Sequence, residues 1–489
     1  MELGNTSARL VKPAAPSAPE SPASHSYGLK SAALSPVETL AQSIALIAPT
    51  GAPVMTIPLV FGLAGQGAAI AYLIATLGIL LVALNVNQFA RISASPGSLY
   101  TYIAEHMHPS FGVLAGWALL IAYIGTASAV SAGVTNYANV ILRDRFAFEV
   151  FPVLLTVAVA VVAGWLAYRD VQISARLMLW LEAASVALIS ILAGAVIIQH
   201  GWRPDLGQLT LQGVTPEKLR LGLVLAIFSS VGFESATSLG SEARNPLTSI
   251  PRAVKWSAIL AGIFFFLCAY TEVLAFRGTG LTLDHSPAPL HVVAQVAGLP
   301  PLIGTLTDLG AVVSFFSCFL ACITAAARVL FLMSRHGALH SLLGSAHEEN
   351  QTPHIAVVFT SVAALLPAAI MTLRGVNLFE IYGLLGTLAT LGFVTAYILV
   401  SAAAPIYLRS QGRLTPQAVG ISVLAVGAMC AALLGNLYPV PPPPYSILPY
   451  LYTVLLFGGF GWSMIWTARS AAFANAVEAD LAVAPAETD

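Results

Sequence analysis

The residues able to do chemistry sit where the chain is otherwise apolar. In LAIFSSVGFESATSLGSEARNP, which begins at Leu225, the polar or flexible residues Ser229, Ser230, Gly232 and Glu234 follow an apolar run. An ionisable side chain at membrane depth costs at least about 2.5 kcal/mol, so Glu234 is expected to face a polar interior. Gly232 beside it lacks a Cβ and allows both a break in the helix and close approach of a ligand. In IALIAPTGAPVMTIPLV, which begins at Ile44, Pro49, Gly51 and Pro53 fall mid-segment. Each interior proline removes a backbone hydrogen bond and clashes with the preceding turn, at roughly 3 kcal/mol or more, so two flanking a glycine predict local unwinding. Freed amides present partial positive charge to a carboxylate and freed carbonyls face an ammonium or metal cation, a geometry that suits a zwitterion.

Those residues need helices to hold them. The 489 residues are 57% hydrophobic and 9% charged, with a mean hydropathy of +0.82, whereas soluble domains carry about 25% charged residues. Apolar stretches of about 20 residues recur, each long enough to cross about 30 Å of hydrocarbon. Twelve spans are predicted, at 37–63, 67–90, 110–142, 149–168, 171–199, 217–243, 251–276, 303–335, 354–373, 377–408, 415–436 and 446–468. Irregular backbone in such spans is tolerated only where protein or a water-filled cavity satisfies it. The breaks fall in the first and sixth spans, the placement expected of an inverted repeat.

The regions are therefore read as a disordered tail over 1–36, a first repeat over 37–200, a second over 201–411, two further helices over 412–469 and a second tail over 470–489. Placing both tails in the cytoplasm puts Arg91, Arg169, Arg244, Arg252, Arg328 and Arg409 there with the larger share of flanking basic residues, as the positive-inside rule expects. The cluster Glu242, Arg244, Asn245 and Arg252 reads as an inner salt-bridge gate or topology anchor. The net charge of -1 gives no footprint for nucleic acid. Cys268, Cys318, Cys322 and Cys430 lack ligand spacing, so no metal or cofactor is expected. No phosphate-binding loop motif and no Ser/His or paired-Asp arrangement occurs, which excludes ATP hydrolysis on this chain and argues against an enzyme.

The stretch GFESATSLGSEARNPLTSIPRAV at 232–254 resembles the sixth-helix signature of the amino acid, polyamine and organocation superfamily of permeases. ISASPGSLYTYIAEHMHPSFGVLAGW at 92–117 is similar to that family's loop between helices two and three, and AAARVLFLMSRHGALH at 325–340 to its eighth-helix ending. The resemblance covers roughly 37–469 and implies an all-α membrane protein with the five-plus-five inverted repeat of the leucine-transporter fold, helices eleven and twelve lying outside it. It also implies a small amino acid or amine bound at the breaks and carried across the plasma membrane by alternating access. On this reading Pro49, Thr50, Gly51 and Ala52 offer backbone to the substrate carboxylate. Phe228, Ser229, Ser230, Gly232, Phe233 and Glu234 face it from helix six, with either Phe228 or Phe233 as a lid. The run APTGAPVM departs from the family's glycine-alternating pattern.

Coupling is left open. Some proton-linked relatives carry a lysine on helix five at the place of Ser185, and the fifth span has no lysine. Ser314 and Ser317, one turn apart on helix eight, could surround a sodium ion with first-helix carbonyls. Glu182 and Glu272 are alternative proton carriers, each close enough to a span end to be solvated, and Asp308 and Glu380 are expected at the interface. Helix three carries Tyr123, Thr126, Ser128, Ser131, Thr135 and Asn136, a candidate wet face. The reading is a secondary transporter working by cation symport or exchange; a sensor or channel on the same helices is the alternative.

Overall fold

The computed structural model describes residues 27–169, 172–286 and 288–467, without the side chains of 172–178 and 181. Its α-helices are α1 (Pro36–Ile47), α2 (Ile57–Ala64), α3 (Ala68–Ala90), α4 (Leu99–His106), α5 (Pro109–Phe146), α6 (Pro152–Arg169), α7 (Gln172–Gln199), α8 (Leu206–Leu209), α9 (Pro216–Ser230), α10 (Pro246–Phe276), α11 (Pro289–Val296), α12 (Pro301–Arg335), α13 (His354–Leu373), α14 (Leu378–Ser410), α15 (Pro416–Gly435) and α16 (Leu448–Thr467). Among the described residues, eleven helical stretches are long and apolar enough to cross a membrane. That is one fewer than the twelve expected, because Pro36–Ala90 forms a single stretch of 55 residues. The turn at Gly65–Gly67, with Gly65 at φ 55°, falls between the two spans expected there.

Both breaks are present. Ser35 and Glu38 form a capping box that starts α1 with Pro36 in its first turn, and Ala48 ends it in the left-handed region at φ 49°. Helical backbone resumes at Gly51, and Ala52–Thr56 widen into a π-helical turn closed by Ile57 N–H donating to the Ala52 carbonyl. Pro53, inside that turn, has no amide proton to give. In the second half, Thr215 caps α9 and Pro216 opens it. The helix stops at Ser230, after which Val231 is extended and Gly232 takes φ 89°. A Cβ on Gly232 would stand 2.0 Å from Leu46 Cδ2, so the two breaks lie against one another.

The packing has the expected twofold pattern. Exchange α1 and α2 with α9, α3 with α10, α5 with α12, α6 with α13, and α7 with α14. The pairs α3·α10, α5·α12 and α6·α13 then map onto themselves, while α5·α14 maps onto α12·α7, α14·α3 onto α7·α10 and α14·α9 onto α7·α1, and all of these pairs are in contact. Helices α5, α12 and α14 are the interior, burying 78, 78 and 83% of their most apolar windows. The helices α6, α13, α15 and α16 bury 28 to 33% and form the lipid-facing rim.

On the face that carries the start of α1, Arg328 of α12 is 1% exposed and meets Glu242 in a bidentate pair, Nε to Oε2 at 2.6 Å and Nη2 to Oε1 at 2.7 Å. The expected inner cluster is thus corrected: Glu242 pairs across the bundle with Arg328, a contact 86 residues apart in sequence, while Asn245 instead accepts from Ser249 at the start of α10. The tail boundary shifts as well. Residues 27–35 were expected to belong to a disordered tail, but Leu34 is buried and donates to the Glu242 carbonyl at 2.8 Å, while Arg244 N–H donates back to Leu34 at 2.9 Å. The rest of that tail and the one after 467 lie outside the described residues. Removing one partner of a buried ion pair costs roughly 3–5 kcal/mol. Arg328→Met is therefore expected to lower the melting temperature in detergent markedly, and Arg328→Met with Glu242→Met to recover much of it; equal melting of the single variant and the parent would show that the pair does not hold this face closed.

Candidate functional site

The end of α1, the π-helical turn and the end of α9 converge on a small closed cavity of about 10 Å³, room for about one water molecule. Leu46, Ile47 and Ala48 reach it from α1, Ala52 and Thr56 from the π-turn, and Phe228, Ser229 and Val231 from the break after α9. Thr126 and Val130 of α5, Cys318 of α12 and Tyr382 of α14 complete it. All twelve residues are uncharged, so the electrostatics come from backbone. The carboxyl-terminal ends of α1 and α9 bring partial negative charge, and the start of the π-turn brings partial positive charge. Thr126 Oγ1, buried on the cavity wall, has no hydrogen-bond partner among the described residues.

Aromatic rings cover one side. Phe228 packs edge-on against Tyr382 with centroids 5.8 Å apart, and Tyr382 against Phe315 at 5.6 Å. The Phe315 ring lies over Gly51 and Gly133, where a Cβ would come within 2.5 and 2.8 Å of it. Tyr382 is anchored by a hydrogen bond between its hydroxyl and Thr56 Oγ1 at 2.8 Å, and Ser229 by one with the Tyr72 hydroxyl at 2.8 Å. The other side is a polar mesh in which Gln42 donates to Ala321, Ser43 to Phe233 and Ser235 to Gln42, each to a carbonyl.

The expected site residues divide by position. Ala52, Phe228 and Ser229 border the cavity. Between the two aromatics, Phe228 is the one on the cavity, while Phe233 is fully buried against Tyr397 at 5.3 Å. Glu234 is fully buried but does not border it, since Tyr123 donates to its Oε1 at 2.9 Å and Tyr397 to its Oε2 at 2.6 Å. Gly232 donates its N–H to the Tyr397 hydroxyl at 3.2 Å, and Ser230 Oγ is buried without a partner among the described residues. Pro49, Thr50 and Gly51 lie in the break behind the cavity wall. Gly51 N–H is taken by the Ala48 carbonyl, and the Thr50 N–H and hydroxyl both donate to Glu182 Oε1 at 3.2 Å.

Glu182 is therefore at the first break and not at a solvated span end. It is 2% exposed, accepts a third bond from Ser314 at 2.7 Å, and its Oε2 has no partner among the described residues. Of the two helix-eight serines, Ser314 donates to Glu182 and Ser317 to its own helix at Val313. Ser185 lies against Gly310 on α12, one turn along α7 from Glu182. Thr56, Tyr382 and Tyr72 went unsingled in the sequence. A tyrosine four residues into an apolar helix, like Tyr382, was the available signal, because a buried phenol needs a partner.

Fold and cavity together define a multi-pass helical membrane protein with a central site between two broken helices. The amino acid permease family profile matches residues 38–470. The chain belongs to that family. It is 26% identical over 370 residues to the branched-chain amino acid permease BcaP of Bacillus subtilis, covering 71% of this chain and 75% of that one. It is 25% identical to the low-affinity putrescine importer PlaP of Escherichia coli over 64% and 69%, respectively. The fold matches that of a manganese transporter from Eremococcus coleocola with a TM-score of 0.58 at 13% identity, over 91% of this chain and 99% of that one.

With both oxygens of Glu234 held by tyrosines, Glu234→Gln replaces one acceptor by a donor and loses a bond worth about 1–3 kcal/mol. The expected result is a lower melting temperature with ligand affinity changed less than about tenfold, or about 1.4 kcal/mol. A much larger loss of affinity at unchanged melting would make Glu234 a ligand contact.

Proposed function

We propose that this protein is a secondary transporter of neutral amino acids with compact apolar side chains, working across the plasma membrane with both termini cytoplasmic. The observation that carries this reading is the cavity itself, formed by two helix carboxyl ends, one helix start and no charged side chain. The carbonyl ends after Ile47 and Ser230 suit an ammonium, and the π-turn beginning at Ala52 suits a carboxylate. The remaining walls, Leu46, Val130, Phe228 and Val231, suit an aliphatic side chain.

A polyamine fits this cavity poorly. Its second ammonium would be desolvated without a counter-ion, at a cost of several kcal/mol. Neither buried carboxylate at the breaks borders the cavity: both oxygens of Glu234 are taken by Tyr123 and Tyr397, and Glu182 Oε1 by Thr50 and Ser314, its Oε2 having no partner among the described residues. The substrate named in the branched-chain permease agrees with this cavity better than that of the putrescine importer.

Alternating access would proceed by exchanging the two seals around the cavity. One is the aromatic layer of Phe228, Phe315 and Tyr382; the other is the polar mesh backed by Arg328 and Glu242. Transport would run by cation symport or by exchange, and Glu182 at the first break would feel the movement of α1 relative to α12 through Thr50 and Ser314. A sensor or channel would bind without carrier kinetics.

The test is counterflow in proteoliposomes. Vesicles preloaded with L-alanine, L-valine or L-leucine are expected to show saturable uptake of the same labelled amino acid. Putrescine and L-arginine are expected to compete more than about a hundredfold less well, which corresponds to about 2.7 kcal/mol. Uptake driven by putrescine in preference to all three would overturn the substrate class, and binding with no counterflow would overturn transport.

A further inference from the structure

One carboxylate takes no part in the site just described. Glu272 of α10 is 1% exposed, and neither of its oxygens has a hydrogen-bond partner among the described residues. The titratable groups within its electrostatic reach are Tyr72 on α3, Tyr137 on α5 and Cys268 one turn back on α10, and none is a cation. Burying an ionised carboxylate without a counter-charge costs several kcal/mol. A hard metal cation would need about six oxygens around it, and among the described residues no cluster of metal-ligating side chains includes Glu272. The group fits a proton.

A partly exposed acid pair lies on the neighbouring helices α11 and α12. Tyr137 is fully buried, donates to the Val54 carbonyl of the π-turn at 2.7 Å, and lies within electrostatic reach of both Glu272 and Asp308. Asp308 of α12 was expected at the interface, yet its side chain is 2% exposed. Its Oδ2 is 2.8 Å from His291 Nδ1, and its Oδ1 has no partner among the described residues. His291, on α11, is 23% exposed, and its ring is seated over Gly304, where a Cβ would come within 2.4 Å. The helix α11 packs against α10, α12 and the π-turn, so it joins the elements that hold these groups. The other charges nearby are Asp144, which faces Asp308 from α5, and Arg145, which is bonded to Thr305 at 2.5 Å.

We propose that His291 and Asp308 form a proton entry on the face opposite the chain termini, and that Glu272 is the buried proton-binding site they supply. Water would reach the partly exposed His291 and the proton would pass to Asp308 across the 2.8 Å contact, while α11, which carries His291, packs against both α12 of Asp308 and α10 of Glu272. The proton is taken from water on that face and released to water on the other side when the site opens there, so nothing else is consumed. The same groups bear on the substrate site. Tyr137 is bonded to the π-turn that forms the carboxylate end of the cavity, and Tyr72 is bonded to Ser229 on its wall. This assignment rests on the transport reading above and names its coupling ion.

Two measurements test it, and the first does not need transport. The infrared spectrum of the purified protein at neutral pH is expected to show a protonated-carboxyl band that Glu272→Gln removes; an unchanged band would overturn the proposal whatever the transport assay shows. In the second, vesicles with an inside-alkaline gradient of about one pH unit are expected to accumulate substrate about tenfold if one proton accompanies each molecule. Glu272→Gln is expected to reduce that to about onefold while retaining counterflow, and His291→Gln and Asp308→Asn to shift the dependence on external pH. Full gradient-driven accumulation by Glu272→Gln would overturn the proposal, whereas loss of counterflow in the parent protein would overturn the transport reading instead.

Discussion

Unpaired backbone in hydrocarbon is the constraint on which this structure depends. Both broken helices leave carbonyls and amides at the centre of the bundle, and neighbouring helices supply partners for some of them. Cys318 donates its thiol to the Leu46 carbonyl, Ser43 and Ser257 donate to Phe233, and Tyr397 accepts from Gly232. Glu182 takes the Thr50 amide. Groups not fully partnered, such as Thr126 Oγ1 and Ser230 Oγ, lie at or beside the cavity. The polar site is thus a consequence of where the helices break, and each partner that satisfies a break also fixes the shape of the cavity.

The two breaks are also mechanically joined. Leu46 at the end of α1 rests on Gly232, which no larger residue could replace at φ 89° without displacing it. Tyr397 bonds both Gly232 and Glu234, so one side chain of α14 holds both ends of the second break. Polar contacts of this kind are directional, so the joint between the breaks rests on a set of discrete bonds as well as on packing. The face carrying the α1 start is further secured by Arg328 with Glu242 and by the chain ahead of α1.

Much of this was legible in the residues. Pro49, Gly51 and Pro53 act locally, because a missing amide proton breaks a helix wherever it sits, and Gly232 admits a backbone region that other residues avoid. Glu234 was legible as a buried carboxylate but not as one held by two tyrosines, since Tyr123 and Tyr397 lie 111 and 163 residues away. The same holds for Glu182, whose partner Ser314 is 132 residues off. Of the two aromatics, Phe228 and Phe233 differ by five positions, and only the stop at Ser230 decides which of them turns to the cavity.

Composition and local chemistry alone determined that this is a helical membrane protein, where its helices run, where two of them must break, and that the breaks create an internal polar site. Those properties depend on hydropathy over about twenty residues and on backbone chemistry within one turn. The tertiary structure decided which buried carboxylates are spoken for, which of them, like Glu272, have no partner among the described residues, and that the cavity wall is uncharged. The reason is physical: a hydrogen bond requires groups within about 3 Å, and helices that meet in space are brought together by packing over distances along the chain that no local pattern records.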